Sequence, residues 1–314
     1  MRVHALSSLR HYRRHVEAVW KHLDPSIQGE FISGSKATTK RLPPEDVVMV
    51  GGFYDIDRVP QRVVYVEHGA GQSYGGDQRA ARHPAYHGSV HDPRVIGYIS
   101  PSQSVADSWG RPAFAAGCPA LDEIQRPEPD RFRRLNKVAA ITFHWDARKV
   151  CPEARSARPH YIDDLHSMVA VLHQQGFEVL GHWHPRDIAG PKIWRFLGVE
   201  QVKEPDEVLA RAGLLIADNT SLMYEAAQLD IPVAALNAPW YRPDVEHGLR
   251  FWSHVPGIQI NDIEQFALFS FESYLHHDYS KSVRADCAKY AYALPVGGAG
   301  EAAALWLTKL VSEE

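Results

Sequence analysis

At 314 residues the chain is long for one α/β domain and comfortable for two, and 45% hydrophobic with 23% charged residues describes an ordinary globular protein. A formal net charge of −4 argues against a generally basic nucleic-acid binder and leaves only a local basic groove for such a partner. Cys118, Cys151 and Cys287, odd in number and widely spaced, make no disulfide framework, and no apolar run reaches the roughly 20 residues that span a bilayer. The first residues lack a signal-peptide core, so the expected location is the cytoplasm.

In chain order, Arg2 to Leu6 reads as a short strand, and Leu9 to Leu23 carries helical periodicity with a basic face of Arg10, Arg13, Arg14 and Lys21. That face either touches an anionic surface or is solvated, as the interspersed Glu17 and Asp24 favour. Glu30 to Ile32, Asp46 to Val50, Arg62 to Val66, Val95 to Ser100 and Ala113 to Ala116 are further strands. A charged, proline-containing stretch over 127–136 predicts a linker. A second series follows: a strand over Val138 to Phe143, a helix over Tyr161 to Gln175, and a strand at Phe177 to Gly181. Then comes a βαβ unit running from Gly213-Leu214-Leu215-Ile216 through Asp218-Asn219-Thr220-Ser221 to Ile231 to Leu236. Gly300 to Val311 closes the chain as a helix. Strands alternating with helices imply two doubly wound, mostly parallel sheets, one over residues 1–126 and one over 137–314. Ligands in such sheets sit beyond the carboxyl ends of the strands.

Four motifs, spread over residues 62–240, carry a resemblance to a family. They are Val64-Tyr65-Val66-Glu67-His68-Gly69-Ala70-Gly71; Ser100-Pro101-Ser102 followed by Gly117-Cys118-Pro119-Ala120-Leu121-Asp122; Gly181-His182-Trp183-His184-Pro185-Arg186; and Asp218-Asn219-Thr220-Ser221 with Glu225. Their order and spacing resemble the CDP-glycerol glycerophosphotransferases of teichoic-acid synthesis, within the GT-B glycosyltransferase superfamily. The chain departs from that pattern at Thr142-Phe143-His144-Trp145-Asp146, where the family carries a Thr-Trp-Arg-type segment. The resemblance implies two Rossmann-like domains with an inter-domain cleft, an acceptor-side domain over 1–126 and a nucleotide-donor-binding domain over 137–314. It also implies transfer of a glycerophosphate or glycosyl group from a nucleotide-diphosphate donor to a hydroxyl acceptor, without a metal or further cofactor.

The residues bear on this chemistry one by one. His68, at a strand end before Gly69 and Gly71, either meets a loop carbonyl or takes a proton from an acceptor hydroxyl; the resemblance favours the second, with Glu67 as orienting or alternative base. Gly69, Gly71 and Tyr74 belong to a rim rich in glycine, where backbone approaches a ligand and adopts positive φ. Asp77, Arg79, Arg82 and His83 beyond it either touch the acceptor or lie on a solvated helix face. The resemblance places His184 on the donor diphosphate, where an imidazole N–H offsets charge on the leaving group. Arg186 is either a phosphate fork or a solvated charge. His182 and His184, two apart on a strand, share a face, but no third metal ligand of suitable spacing accompanies them.

At the start of the last helix, Thr220 and Ser221 can hydrogen-bond phosphate oxygens, and Glu225, one turn on from Ser221, can accept from ribose hydroxyls or sit as a first-turn surface carboxylate. In the donor-side motif, Asp218 caps that helix or orients a loop, and Asn219 is an alternative cap. Pro239-Trp240-Tyr241-Arg242 packs against a base or sugar, or closes a domain core. Competing chemistries on the same fold are a UDP-sugar glycosyltransferase, whose acceptor is a glycan or modified DNA, and a relative of the non-hydrolysing sugar-nucleotide 2-epimerases. The epimerase needs further acid and base carboxylates in the first half of the chain, which the sequence does not single out. A nucleotide-binding module without catalysis is the remaining alternative.

Overall fold

The structure is a computed structural model and describes residues 1–70, 92–124, 136–146, 155–241, 243 and 251–313. Gly71, Tyr74, Asp77, Arg79, Arg82, His83, Cys151, Arg242 and 127–135 of the expected linker lie outside the described residues.

In the first unit, six strands pair in parallel in the order β2-β1-β3-β4-β5-β6. They are β1 (Val3–Ser7), β2 (Gln28–Ser33), β3 (Val47–Val50), β4 (Arg62–Val66), β5 (Val95–Ser100) and β6 (Ala113–Ala115). Helix α1 (Arg10–Trp20) packs its Val16 and Val19 face on the core that Val3, Ala5, Val47 and Val64 build. β1, β3 and β4 are buried apolar runs rather than alternating ones, as a sheet covered on both faces requires. On the basic face of α1, Arg13 holds Glu17 through two nitrogens, at 2.8 and 3.0 Å, and Lys21 pairs with Glu123.

The second unit repeats the plan in the order β12-β11-β10-β7-β8-β9. Its strands are β7 (Val138–Phe143), β8 (Glu178–Trp183), β9 (Glu200–Gln201), β10 (Leu214–Ala217), β11 (Val233–Leu236) and β12 (Ile258–Ile260). The helix expected over Tyr161 to Gln175 is broken: a short turn (Arg158–Tyr161) and a 3₁₀ turn (Ile162–Asp164) precede the regular part, Leu165–Gln174. A helical run from Ile263 to Ala291, which the sequence reading did not resolve, completes this unit.

The closing helix, Ala299–Ser312, departs from the expected domain assignment. Chain contacts divide the protein into 1–123 with 291–314, and 124–290, so this helix joins the first unit rather than the second. Its Ala303, Ala304, Leu307 and Val311 enter the same core as Val3 and Val64. A distant carboxylate holds its start: Asp122 accepts from the N–H groups of Gly297 (2.9 Å), Gly298 (3.3 Å) and Gly300 (2.7 Å), at the helix amino end. The aspartate of the Gly-x-Pro-x-x-Asp motif thus anchors the return of the chain.

Candidate functional site

In each sheet the chain starts centrally, adds strands to one side, then crosses to the other. The switch points are β1/β3 in the first unit and β7/β10 in the second, and ligands in doubly wound sheets bind outside the carboxyl ends at such points.

In the second unit the register places Thr142, His182 and Ala217 in one row. Two residues further on, past the strand ends, come His144, His184 and Asn219. The hydroxyl of Thr142 lies 2.6 Å from Nδ1 of His182. His182 is buried within the sheet, so it does not share the setting of His184, which lies past the strand end. Among the described residues no group of three or more histidine, cysteine, aspartate or glutamate side chains is arranged to hold a metal.

Nδ1 of His184 accepts the backbone N–H of Arg186 at 3.1 Å, so the neutral ring carries its proton on Nε2. The His144 ring centroid is 5.0 Å from that of His184, and the Arg186 guanidinium lies 5.0 Å from the ring of Trp145. Burial drives the His144 imidazole down to about 3, with Arg186 adding to the effect and the Trp145 backbone opposing it, so His144 is a neutral group. In the sequence His144 is no more than a departure from the family segment; its place opposite His184 follows from the β7–β8 register.

Asp218 is fully buried, and both of its oxygens are engaged: Oδ1 accepts from the His144 N–H at 2.7 Å, and Oδ2 from the Ser156 hydroxyl at 2.9 Å and the Ala157 N–H at 2.8 Å. Of the two roles open from the sequence, it orients a loop, holding the end of β7 to the segment that resumes at 155, rather than capping a helix. Asn219 is equally buried, and its side-chain amide makes no hydrogen bond among the described residues. The helix Leu222–Gln228 begins after Ser221, whose hydroxyl makes no capping bond; Thr220 Oγ1 accepts from the Leu222 N–H at 3.3 Å. Ser221 is partly exposed at that start, whereas Glu225 is only 3% exposed, which overturns the surface-carboxylate alternative.

In the aromatic segment Tyr241 belongs to the second core and Trp240 packs against it, carrying the Arg155 guanidinium 3.8 Å from its ring. Neither nitrogen of this stacked pair that is buried, Arg155 Nε and Trp240 Nε1, has a partner among the described residues.

In the first unit, Glu67 and His68 follow β4, and Glu67 is buried. Gly69 adopts φ 121°, the region the sequence reading reserved for glycine here. Around the His68 ring stand Tyr12, His11 and His15 from α1, with centroids at 4.3, 6.0 and 6.4 Å. Burial pushes His15 well below the ordinary histidine range, with Arg14, His68 and His11 adding to the effect. Asp55, fully buried after β3, accepts the Ser8 N–H at 3.1 Å, and burial raises its carboxyl above the ordinary range. A different histidine–aspartate pair, His4 Nε2 with Asp46 Oδ2 at 3.0 Å, sits at the amino edge of the sheet, where Nδ1 takes the Glu30 N–H. It braces three strands and lies at the wrong end for ligand chemistry. The α1 ring cluster was invisible to a motif search, because its members are ordinary residues of an amphipathic helix.

No helix of the described residues is long and apolar enough to cross a membrane. No protein-family model matches the chain, and no curated sequence does. Solved structures do. A structure of the wall teichoic acid polymerase TagF soaked with CDPG has 12% identity and a TM-score of 0.70, covering 99% of this chain and 89% of that one. A UDP-N-acetylglucosamine 2-epimerase has 12% identity and a TM-score of 0.60, covering 100% and 97%. The co-structure of S. aureus MnaA with UDP has 11% identity and a TM-score of 0.58, covering 100% and 98%. At such identities the likeness is one of architecture, and the chain has the two-domain α/β GT-B fold, with a six-stranded parallel sheet in each domain.

Proposed function

We propose that this protein is a GT-B-type transferase that moves a glycerophosphate or glycosyl group from a nucleotide-diphosphate donor to a hydroxyl acceptor. The observation that carries the reading is the convergence of His144, His184, Thr220 and Ser221 on the carboxyl edge of the second sheet, at its switch point. Thr220 and Ser221 offer hydroxyls to phosphate oxygens. Arg186 offers a charge, Glu225 a carboxylate within reach of the helix start for ribose, and His184 an Nε2–H toward the leaving phosphate. Asp218 and Asn219 serve the donor side indirectly, through the turn that carries the hydroxyls. In the first domain His68 accepts the proton of the acceptor hydroxyl as its oxygen attacks phosphorus or the anomeric carbon, and Glu67 orients it. The new bond forms from that oxygen while the bond to the nucleotide phosphate breaks; the nucleotide departs with its electron pair. Gly69, with Gly71 and Tyr74, is assigned to the acceptor rim. The reading needs neither a metal nor a cofactor beyond the donor. Ligands of the neighbours, CDPG and UDP, lend weight to a nucleotide-linked donor.

A sugar-nucleotide epimerase is the second reading, and one observation favours it: Asp55 and Glu67 are buried carboxyl groups following β3 and β4 of the first sheet. A thermal-shift panel of CDP-glycerol, CDP, UDP, UDP-glucose, UDP-N-acetylglucosamine, GDP and TDP tests the proposal. A ligand at about 100 times its Kd stabilises by roughly 2.7 kcal/mol. Ser221→Ala, which removes no helix-capping bond, should keep the unliganded Tm and lose most of that shift. Silence across the panel overturns the reading. Deuterium entering UDP-N-acetylglucosamine from solvent, without transfer, replaces it with the epimerase.

A further inference from the structure

Tyr12 is 2% exposed and is held on two sides. On one side lies the backbone of the Gly51-Gly52 pair that ends β3. A Cβ at Gly52 would stand 2.2 Å from Cε2 of Tyr12, and one at Gly51 would stand 2.8 Å from its Cβ. On the other side the ring meets the His68 imidazole, with centroids 4.3 Å apart and planes inclined by 60°. The helix bearing Tyr12 is tied at its entry, where the Ser8 N–H donates to Asp55 at 3.1 Å. His11 and His15, one residue before and three after, stand beside the same imidazole, with centroids 6.0 and 6.4 Å from it. A ring lodged against backbone cannot retreat, so the imidazole packed on it loses the rotamers that would enter the space the ring fills.

We propose that Tyr12 is a positioning residue: through the contact of its ring it fixes the orientation of the His68 imidazole, and the Gly51-Gly52 pair seats that ring. The catalytic meaning of this rests on the reading of His68 given above. Preorganisation of this kind matters because a reacting group displaced by about 1 Å can lose about 100-fold in rate.

The test reads His68 itself, so that it does not depend on any activity. In the full chain with ¹⁵N-labelled histidine, two-bond proton–nitrogen correlation gives the tautomer of each ring, and His68→Gln identifies the His68 signals. Tyr12→Phe should keep the wild-type His68 tautomer and shifts. Tyr12→Leu should move the His68 nitrogens toward the averaged values of an exchanging ring, while Tm and the remaining spectrum show a folded protein. Gly52→Ala, which drives the phenol ring off its seat with Tyr12 still present, should give the same signature and decides the matter if Tyr12→Leu fails to fold. In an acceptor-turnover assay Tyr12→Leu should lower kcat by about 10- to 100-fold with donor binding unchanged. Wild-type His68 signals in Tyr12→Leu or Gly52→Ala overturn the proposal. So does a Tyr12→Phe protein that behaves like Tyr12→Leu, because the hydroxyl would then be the agent. A protein that binds no nucleotide in the thermal panel loses the proposed function, yet the spectra still decide what Tyr12 does.

Discussion

Asp218→Ala is the substitution for which the structure gives the sharpest expectation. The wild-type carboxylate is fully buried and accepts three bonds, from the His144 N–H, the Ala157 N–H and the Ser156 hydroxyl. The serine hydroxyl can rotate to another acceptor, but the two amide groups cannot, and each buried donor left without a partner costs about 1–3 kcal/mol. Removing Asp218 should therefore destabilise the second domain by about 4 kcal/mol. Asp218→Asn keeps one accepting oxygen and turns an NH₂ toward the Ala157 N–H, so it should lose roughly half as much. For a domain of this size a loss of about 4 kcal/mol lowers Tm by about 8–16 °C. The assay is urea unfolding followed by hydrogen exchange of the second domain, since two domains need not melt together. The amides of His144 and Ala157 should exchange fastest relative to wild type. A loss below about 1 kcal/mol in Asp218→Ala, or unchanged protection at those two amides, would refute the assignment of Asp218 as the tie between β7 and the segment resuming at 155.

Arg284 is fully buried and bonds Asp230 through Nε (3.0 Å) and Nη2 (2.5 Å) and Asp278 through Nη1 and Nη2 (2.8 Å each). Both aspartates have positive φ, so Arg284→Ala strips the tether from two turns and should cost about 3–5 kcal/mol in denaturant unfolding; a cost under about 1 kcal/mol would show the cluster to be incidental. Asp55 should show a pH-dependent effect. Its folded carboxyl titrates above its unfolded value because of burial, so the folded state gives up stability as pH rises from the unfolded value through the folded one. Asp55→Asn, whose carbonyl can still accept from Ser8, should accordingly be more stable than wild type at pH 7, with the gain fading as pH falls below about 4. A stability difference that does not change with pH would contradict the raised carboxyl.

How far the sequence reached differs by element. The strands β1, β3, β4, β5, β7, β10 and β11 were legible because each is an apolar run, bounded by turn residues and buried on both faces, and such runs need no partner to be recognised. The turn at Asp218 to Ser221 stood out for the same local reason. The break at Ile162–Asp164 did not, because the 3₁₀ turn keeps nearly the same apolar spacing as the helix it interrupts. The α1 cluster was hidden because Tyr12 and His15 share the amphipathic stripe of any packed helix; only the β1–β3–β4 register shows that this stripe ends beside His68.

The sequence by itself determined the fold class and the local starts and stops, because these depend on periodicity and on turn chemistry within a few residues. The tertiary structure alone decided that the last helix belongs with the first domain, since that rests on a carboxylate 175 residues away from the glycine N–H it meets. It also decided that Asp218 orients a loop, that Glu225 is buried, and that His144 faces His184 as a neutral ring. Each of these is a matter of which strand lies beside which, and parallel pairing through crossovers joins residues that share no local pattern.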